Sequence, residues 1–306
     1  MTASALAEFL EGRKEGHEWR CRCPSHNGRS LSVTEKDGKL LVTCRGGCSQ
    51  ETVLSELKRL GLWGPGEISP RDSSQTPEES PRDTERKADR TSQMWEESHP
   101  IEPGDQAHRY LAGRGITLNT WPDDLRCHPA LAYWEVNDAG KPVLLGRWPC
   151  LLAVVRSPQG RPVALHRTYV TDDGHKAPVE APKKIMKVED LAGSAVRLFP
   201  QKDGLLAVAE GIEDALSAWV LWQVPCWAAL GTSGLKGFEP PEEVRELLIF
   251  ADRDENGAGQ KAAWALQDRM EEIGRAVRVL APEDGSKDLN AYLLARQGAI
   301  MQETIR

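Results

Sequence analysis

Features that would direct the chain to a membrane or mark a repeat protein are lacking from its 306 residues. No apolar run approaches the roughly 18 residues of a membrane-spanning helix, and no charged segment followed by an apolar one opens the chain. The sequence also lacks an internal repeat with a period of roughly 20 to 50 residues. We therefore expect a soluble, cytoplasmic protein, and a prior of roughly 150 residues per domain indicates about two globular units.

An excess of basic residues is lacking as well. Lys and Arg total 39 against 46 Asp and Glu, which gives a formal net charge of -7. Over the whole chain, this balance argues against a protein that coats nucleic acid by bulk attraction. The charge is uneven, however, because segments 1–63 and 101–200 each carry +2, whereas segments 64–100 and 201–306 carry -4 and -7.

The composition changes sharply over residues 64–100, which hold five prolines and almost no aliphatic side chains. Such a segment buries too little apolar surface to offset its ordering entropy, so we predict a flexible linker. It separates a small domain at 1–63 from a larger region. Within that region, residues 101–200 show short apolar segments between Gly and Pro, which predict a mixed α+β part.

Residues 201–306 show apolar segments that alternate with helical ones. Predicted strands lie at 205–209, 247–251 and 276–280, and predicted helices at 212–222 and about 260–273. Continuous apolar strands that alternate with helices indicate a mostly parallel sheet covered on both faces. The predicted fold class is therefore multidomain, with an α+β core followed by an α/β domain.

Four of the seven cysteines lie in the first 48 residues, in a chain without a secretion signal. This favours metal binding over a disulfide framework. Cys23-x-x-His26 is followed after seventeen residues by Cys44-x-x-x-Cys48. Two ligand pairs joined by a hairpin-length insert can close a tetrahedron around Zn²⁺, and four protein ligands indicate a structural ion.

The insert between these pairs fits a zinc ribbon. Strands are predicted at 31–34 and 39–43, and Asp37-Gly38 is a strong hairpin-turn signal. Cys21 remains an alternative ligand, because in an extended segment Cys21 and Cys23 point to the same side. The other alternative is that these are ordinary buried cysteines of a small domain.

The segment Cys23-Pro24-Ser25-His26…Ser30-Leu31-Ser32-Val33 resembles the zinc-binding domain at the start of bacterial and phage DNA primases. That family carries a Cys-x-x-His…Cys-x-x-Cys ribbon, and the second pair here has one extra residue. The ligand types are unchanged, so the insertion bears on the geometry of the second pair more than on its metal.

Acidic residues follow the predicted strands of the C-terminal region or begin the next helix: Glu210, Asp214, Asp252, Asp254 and Asp288. The carboxyl ends of strands in an open α/β sheet face a common crevice, so these side chains can converge. Convergent carboxylates require a cation, and oxygen ligands select Mg²⁺ or Mn²⁺. Alternatively, single acids after strands are helix caps or solvated loop charges.

Residues 205–294 resemble the Toprim domain shared by DnaG-type primases, topoisomerases and some nucleases. The first motif is Glu210-Gly211, with Asp214 as in the primase version, and the second is Asp252-x-Asp254. The resemblance implies that Glu210, Asp252 and Asp254 hold the catalytic divalent metals. The segment Lys287-Asp288-Leu289-Asn290-Ala291 resembles the third motif, with Ala291 in place of its final acid.

Basic residues cluster before this domain, at Lys176, Lys183, Lys184 and Lys187. The region resembles the one that precedes Toprim in plasmid and phage primases, where basic residues line a groove for template and nucleoside triphosphates. Arg167, Lys176 and Lys187 are therefore our candidates for phosphate contacts. The alternative is that they are solvated surface charges.

Together, these resemblances imply a DNA primase of a phage, plasmid or mobile element. Such an enzyme is a DNA-directed RNA polymerase that joins ribonucleoside triphosphates on single-stranded DNA by two-metal nucleotidyl transfer. Residues 257–262 lack the full phosphate-loop pattern, so we expect any helicase partner to act in trans. A Toprim nuclease and a non-catalytic, zinc-dependent DNA-binding replication accessory remain alternative functions.

Overall fold

The computed structural model of the chain describes residues 2–15, 18–25, 28–36, 39–44, 48, 50–63, 81–137, 141–254 and 257–305. Residues 1–79 and 132–146 form one compact unit, and residues 80–131 and 147–306 form the other. Of the helices within these described ranges, none combines the length and the apolar character that crossing a bilayer demands.

The N-terminal residues form a small antiparallel sheet with two helices. The elements are α1 (Ala3–Phe9), β1 (Arg13–Glu15), β2 (Glu18–Cys21), β3 (Leu31–Lys36), β4 (Lys39–Cys44) and α2 (Gln50–Arg59). The strands pair in chain order, and Leu31 is opposite Cys21 on one side and Cys44 on the other. The hairpin strands predicted for this region are confirmed, whereas the turn predicted at Asp37-Gly38 lies outside the described residues.

The middle of the chain forms a five-stranded sheet with two helices. The elements are α3 (Pro81–Glu96), β5 (His99–Pro100), α4 (Gln106–Ala112), β6 (Leu125–Val136), β7 (Pro142–Arg156), β8 (Pro162–Tyr169) and β9 (Lys183–Lys187). The strand order is β5-β6-β7-β8-β9. Neighbouring strands in chain order are therefore neighbours in the sheet, as in the α+β part that the sequence predicts.

Helix α3 lies inside the segment that the composition predicts to be a flexible linker. That prediction is wrong for residues 81–96, and residues 64–80 lie outside the described residues. Thr84, Ala88, Thr91 and Trp95 recur at helical spacing and are among the less exposed positions of the helix, together with Lys87 and Met94. Because the segment as a whole is polar, its composition does not reveal this less exposed face.

The C-terminal residues form a parallel sheet between helices. The elements are β10 (Leu205–Ala209), α5 (Ile212–Trp222), β11 (Cys226–Ala228), α6 (Thr232–Gly237), β12 (Glu246–Phe250), α7 (Ala258–Glu272), β13 (Ala276–Leu280) and α8 (Leu289–Ile305). The strand order is β11-β10-β12-β13, and every pair is parallel. The parallel sheet that the sequence predicts is confirmed.

Both faces of this sheet are buried. Ala207 and Ala209 on β10 pack into a core shared with α4, α5 and the five-stranded sheet. Leu206 and Val208, which point to the opposite face, pack with residues of α6 and α7. The two layers of helices fix the carboxyl edge of the sheet, where the acidic residues lie.

Candidate active site and metal centres

Strands β10 and β12 are neighbours, and the chain reverses its direction of winding between them. From β10 the chain first adds β11 on one side and then β12 on the other. Glu210 follows β10 directly, and Asp252 follows Ala251 after β12. In open α/β sheets such a switch point is where ligands bind.

Glu210 and Asp252 are half-buried, and the charge of Glu210 acts to raise the pKa of Asp252. Burial raises the pKa of Glu210 to about 7, with further contributions from Asp254 and Asp214. Burial also raises the pKa of Asp252 to about 8, and Asp214, Glu210, Asp288 and Asp254 add to it. The structure thus brings all five predicted acids to the same edge of the sheet.

The other three acids also accept hydrogen bonds from backbone N–H groups around the site. Asp214, in the first turn of α5, is buried and accepts a hydrogen bond from the Asn290 N–H (3.0 Å); burial raises its pKa to about 6. Asp254 is exposed and accepts one from the Gly259 N–H (2.8 Å). Asp288 accepts one from the Ala291 N–H (2.8 Å) at the start of α8. Asp254 and Asp288 therefore cap helices as well as facing the cluster.

The carboxylates at this edge have the ligand chemistry of a divalent cation site, although among the described residues no three of them have oxygens within 4.8 Å of one another. Glu210 Oε1 is buried without a hydrogen-bond partner among the described residues. Burial, and then the negative charges of neighbouring carboxylates, raise the pKa values of Glu210, Asp214 and Asp252. A bound cation would offset this repulsion, and oxygen-only ligands favour Mg²⁺ or Mn²⁺.

A buried acid beside the cluster was not predicted from the sequence. Glu213, adjacent to Asp214 on α5, accepts hydrogen bonds from Tyr110 Oη and from Lys183 Nζ (2.8 Å). Although burial acts to raise its pKa, Lys183 and the two hydrogen bonds lower it to about 2. The only sequence signal for the role of Glu213 was the presence of a second acid, beside Asp214, in the first turn of a mostly apolar helix.

Arg167 and Lys187 lie on strands β8 and β9, and Lys176 lies in the segment between these strands. Lys176 is close to Glu213: burial lowers its pKa, followed by the charges of Lys183 and, more weakly, Arg114 and Lys287, while Glu213 acts against them. Lys187 is exposed and 3.5 Å from Asp190 Oδ1.

Arg167 points away from the face that carries Lys183 and Lys187. Arg167 is opposite Lys184 on β9, whereas Lys183 and Lys187 are opposite Thr168 and Ala164. Side chains alternate along a strand, so these two sets occupy opposite faces. Arg167 Nη1 donates to Tyr169 Oη at 3.3 Å. The structure therefore does not bring Arg167, Lys176 and Lys187 together.

Three cysteines of the N-terminal unit form a second candidate metal centre. The Sγ atoms of Cys23, Cys44 and Cys48 all lie within 4.8 Å of one another, and those of Cys23 and Cys48 are 4.0 Å apart. Zn–S bonds of about 2.3 Å at tetrahedral angles place two sulfurs about 3.8 Å apart, so the cluster fits Zn²⁺. His26, the predicted fourth ligand, lies outside the described residues.

Two thiols of this cluster, those of Cys23 and Cys48, have raised pKa values because burial disfavours their charged forms. Burial and the neighbouring thiols Cys23 and Cys44 raise that of Cys48 to about 12. A cation would therefore stabilise their thiolate forms. Cys21 does not belong to the cluster and is fully buried in the core of the same unit.

Family models match two parts of the chain. Residues 205–299 match the Toprim domain, which confirms the resemblance based on Glu210 and Asp252-x-Asp254, and residues 85–198 match a domain of unknown function (DUF7146). No curated protein matches the sequence significantly.

Solved structures of primases are similar to the chain. A DNA primase domain from Pseudomonas aeruginosa is 20% identical over 62% of this chain and 67% of that chain, with a TM-score of 0.42. The zinc-binding and RNA polymerase domains of the Aquifex aeolicus primase are 16% identical over 98% of this chain and 81% of that chain, with a TM-score of 0.44. The primase fragment of the bacteriophage T7 primase-helicase protein is 16% identical over 68% of this chain and 80% of that chain, with a TM-score of 0.40.

Proposed function

We propose that the chain, whose residues 205–299 are a Toprim domain, is a DNA primase that makes short RNA primers on single-stranded DNA. The observation that carries the proposal is the convergence of Glu210, Asp252 and Asp254 at the switch point of a parallel sheet. Burial and neighbouring carboxylates raise the pKa values of Glu210 and Asp252, so a bound cation would stabilise their ionised forms. A site of this kind suits the transfer of highly charged phosphoryl groups.

Glu210, Asp252 and Asp254 would hold Mg²⁺ or Mn²⁺. Bound divalent ions lower the charge barrier to attack of a 3′-hydroxyl on the α-phosphate of a ribonucleoside triphosphate and stabilise the departing pyrophosphate. Asp214 and Asp288 add negative charge beside these three and are fixed by backbone N–H groups.

Lys176 is the best-supported of the three predicted phosphate contacts. It is exposed at the surface; the negative charge of Glu213 acts to raise its pKa, and the cations Lys183, Arg114 and Lys287 act to lower it. A lysine in this position can bind phosphate oxygens without entering the carboxylate cluster. We therefore assign nucleotide phosphate contact to Lys176 before Arg167 or Lys187.

The N-terminal unit would bind the template. Cys23, Cys44 and Cys48, with His26, would hold a structural zinc ion that stabilises this small sheet. The segment 1–63 carries a mild positive charge of +2, which suits contact with single-stranded DNA. A replicative helicase acting in trans would supply the single-stranded template.

The test is primer synthesis on single-stranded DNA with labelled ribonucleoside triphosphates and Mg²⁺ or Mn²⁺. The purified chain should produce short labelled RNA, and the Asp252→Ala/Asp254→Ala variant should lose this product. The matched control is Asp268→Ala/Glu272→Ala, which removes two exposed carboxylates from α7. Retained synthesis in the Asp252→Ala/Asp254→Ala variant would refute the proposal.

The same assay separates the two other functions. A Toprim nuclease would use the same carboxylates with water as the nucleophile, and it would cleave DNA without incorporating nucleotides. A replication accessory would bind DNA through its zinc-containing unit and give neither product. Its biological function would survive the double alanine substitution.

A further inference from the structure

Glu213 lies at the junction of three elements of the larger unit. It belongs to the first turn of α5, and only 6% of its surface is exposed. Tyr110 on α4 donates a hydrogen bond to Oε1, and Lys183 on β9 donates one to Oε2. Both carboxylate oxygens are therefore bound, which fixes the orientation of the side chain.

The Lys183 side chain is bound by Glu213 and is also partly exposed. About a third of its side chain is exposed (37%), whereas that of Glu213 is almost entirely buried (8%). An ammonium group has three N–H donors, and the bond to Glu213 uses one of them. The charged end of Lys183 is thus fixed on its buried side while it can still bind a ligand on its exposed side.

Lys183 lies close to the proposed catalytic site. The Glu213 Oε2 atom that it binds would be 3.6 Å from a Cβ atom at Gly211, which follows Glu210 directly, and Asp214 Oδ2 would be 2.5 Å from the same position.

The positive charge of Lys183 acts to lower the pKa of Asp214, and it also lowers the pKa of Lys176, to which Arg114 and Lys287 contribute as well. Lys183 therefore lies between a group of carboxylates and a group of cations. An anionic ligand with several phosphates would be attracted to this cationic side.

Without a fixed partner, Lys183 would be drawn to the carboxylate cluster. Its flexible side chain carries a positive charge close to Asp214, and pairing there would place an ammonium group where divalent cations are expected. Glu213 offers a separate, buried carboxylate that is not part of the cluster. The Glu213–Lys183 pair therefore keeps the ammonium group beside the cluster and outside it.

We propose that Glu213 is a positioning residue that, together with Tyr110, holds the Lys183 ammonium group where it binds a phosphate oxygen of the incoming nucleotide. This inference rests on the proposed function, because it assigns the ligand of Lys183 from the reaction proposed there. Lys183 touches the nucleotide, and Glu213 acts only through Lys183.

Four variants test this assignment: Glu213→Gln, Lys183→Met, the double variant that combines them, and Lys183→Arg. The first two leave one buried or half-buried charge without its partner, so they are expected to lower stability. The double variant removes both charges and should recover most of the lost stability. Lys183→Arg preserves both the ion pair and the cation and should retain most of the nucleotide affinity.

The measurements are equilibrium binding of a ribonucleoside triphosphate with Mn²⁺, the KM and kcat of primer synthesis, and thermal unfolding. Nucleotide affinity should fall about tenfold in Glu213→Gln, as expected for the loss of one hydrogen bond to a charged group. KM should rise by a similar factor, with a smaller change in kcat. The double variant should show the same loss as Lys183→Met, because Glu213 acts through Lys183.

The double variant distinguishes positioning from a merely structural pair. If the pair only stabilised the fold, the recovered stability of Glu213→Gln/Lys183→Met would be accompanied by wild-type nucleotide affinity, and that result would overturn the inference. The control variant is Glu246→Gln/Arg278→Met, which removes an exposed ion pair between strands β12 and β13 of the parallel sheet. It should leave nucleotide affinity unchanged.

Failure of the proposed function would give a different result. A wild-type chain that makes primers, with unchanged affinity in the double variant, would refute the inference alone. A wild-type chain that binds nucleotide but makes no primer would refute the proposed reaction, and the loss or retention of binding in the double variant would still decide the role of Glu213. A wild-type chain that neither binds nor incorporates nucleotide would refute both.

Discussion

Gly259 lies against all three of the residues that are proposed to hold metal, at the carboxylates of Glu210 and Asp254 and at the backbone of Asp252. Its N–H donates to Asp254 Oδ2 at 2.8 Å. A Cβ atom at this position would lie 2.8 Å from both Glu210 Oε1 and the Asp252 carbonyl oxygen. The Asp252 oxygen belongs to the backbone and cannot rotate away, so a side chain here would displace part of the site.

Gly259→Ala should therefore weaken metal binding more than it weakens the fold. We expect Mn²⁺ affinity, measured by electron paramagnetic resonance titration, to fall several-fold, and primer synthesis to fall with it. Alanine favours the helix interior over glycine by about 1 kcal/mol, which offsets part of the strain. Gly298→Ala on α8 is the matched control, because a Cβ there would have no neighbour within 4 Å. Equal Mn²⁺ affinity in both variants would contradict this explanation.

His166 makes the larger unit sensitive to acid. Its side chain is buried on β8, and its Nδ1 atom has no hydrogen-bond partner among the described residues. Burial lowers its pKa to about 4; Lys183 and Arg167 also act to lower it, while Glu213 acts to raise it. Since the unfolded chain takes up this proton first, the stability due to neutral His166 is present above about pH 6.5 and is lost as the pH falls towards 4.

Urea unfolding at two pH values measures this effect. Between about pH 7.5 and about pH 5, the wild-type chain should lose about 2 kcal/mol more of its free energy of unfolding than His166→Gln. The comparison of the two proteins removes the contribution of all other titrating groups. Parallel pH dependence in the two would show that His166 is not the cause.

At the scale of the element, the parallel sheet was the most predictable part of the chain. The predicted strands at 205–209 and 276–280 and the predicted helix at 212–222 have the same bounds in the structure. Long apolar segments with clear helical or strand periodicity determine these elements locally. The order of the strands then brings Glu210 and Asp252 together without further information.

Helix α3 and the Glu213 contacts were not predictable in the same way. The polar composition of residues 81–96 indicates a linker, and the helix is recognised only from the spacing of Ala88, Thr91 and Trp95. Glu213 is bound by Tyr110 and Lys183, which are 103 and 30 residues away along the chain. Contacts between distant residues that depend on tertiary packing leave no periodic pattern in the sequence.

A zinc ion bound by Cys23, Cys44 and Cys48 would join the end of β4 to the segment that follows β2. Cys44 ends β4, and its Sγ atom belongs to the cluster with Cys23 and Cys48. Cys44→Ser should remove about one equivalent of zinc per chain, measured by inductively coupled plasma mass spectrometry, because a structural site needs its full ligand set. The first unit should then become sensitive to proteolysis.

The control for this prediction is Cys226→Ala. It removes a buried thiol from β11 in the other unit and should leave the zinc content unchanged. Zinc retained at the wild-type level in Cys44→Ser would show that the cluster is not a metal centre. The same outcome would mean that zinc does not stabilise the unit proposed to bind the template.

At the scale of the whole molecule, the distribution of charge is more informative than its sum. The net charge of -7 equals that of residues 201–306 alone, where the carboxylate cluster lies. Residues 1–63 and 101–200 each carry only +2. These are the two regions proposed to contact the template.

Such modest positive charge predicts weak binding of the template that depends strongly on salt. With about three phosphate contacts, affinity for single-stranded DNA should fall about twentyfold between about 50 and 200 mM salt. Fluorescence anisotropy of a labelled oligonucleotide measures this slope. An affinity that does not change with salt would show that base contacts, and not phosphate contacts, dominate.

The ion pair between Lys183 and Glu213 also limits how the chain can diverge or be recombined. Lys183 lies in the region that matches one family model, and Glu213 lies in the region that matches the other. A chimera that takes only one of these regions from a relative would bury a charge without its counterpart, unless that relative has the same pair. The two regions are therefore expected to be inherited together, and to exchange as one segment rather than as two.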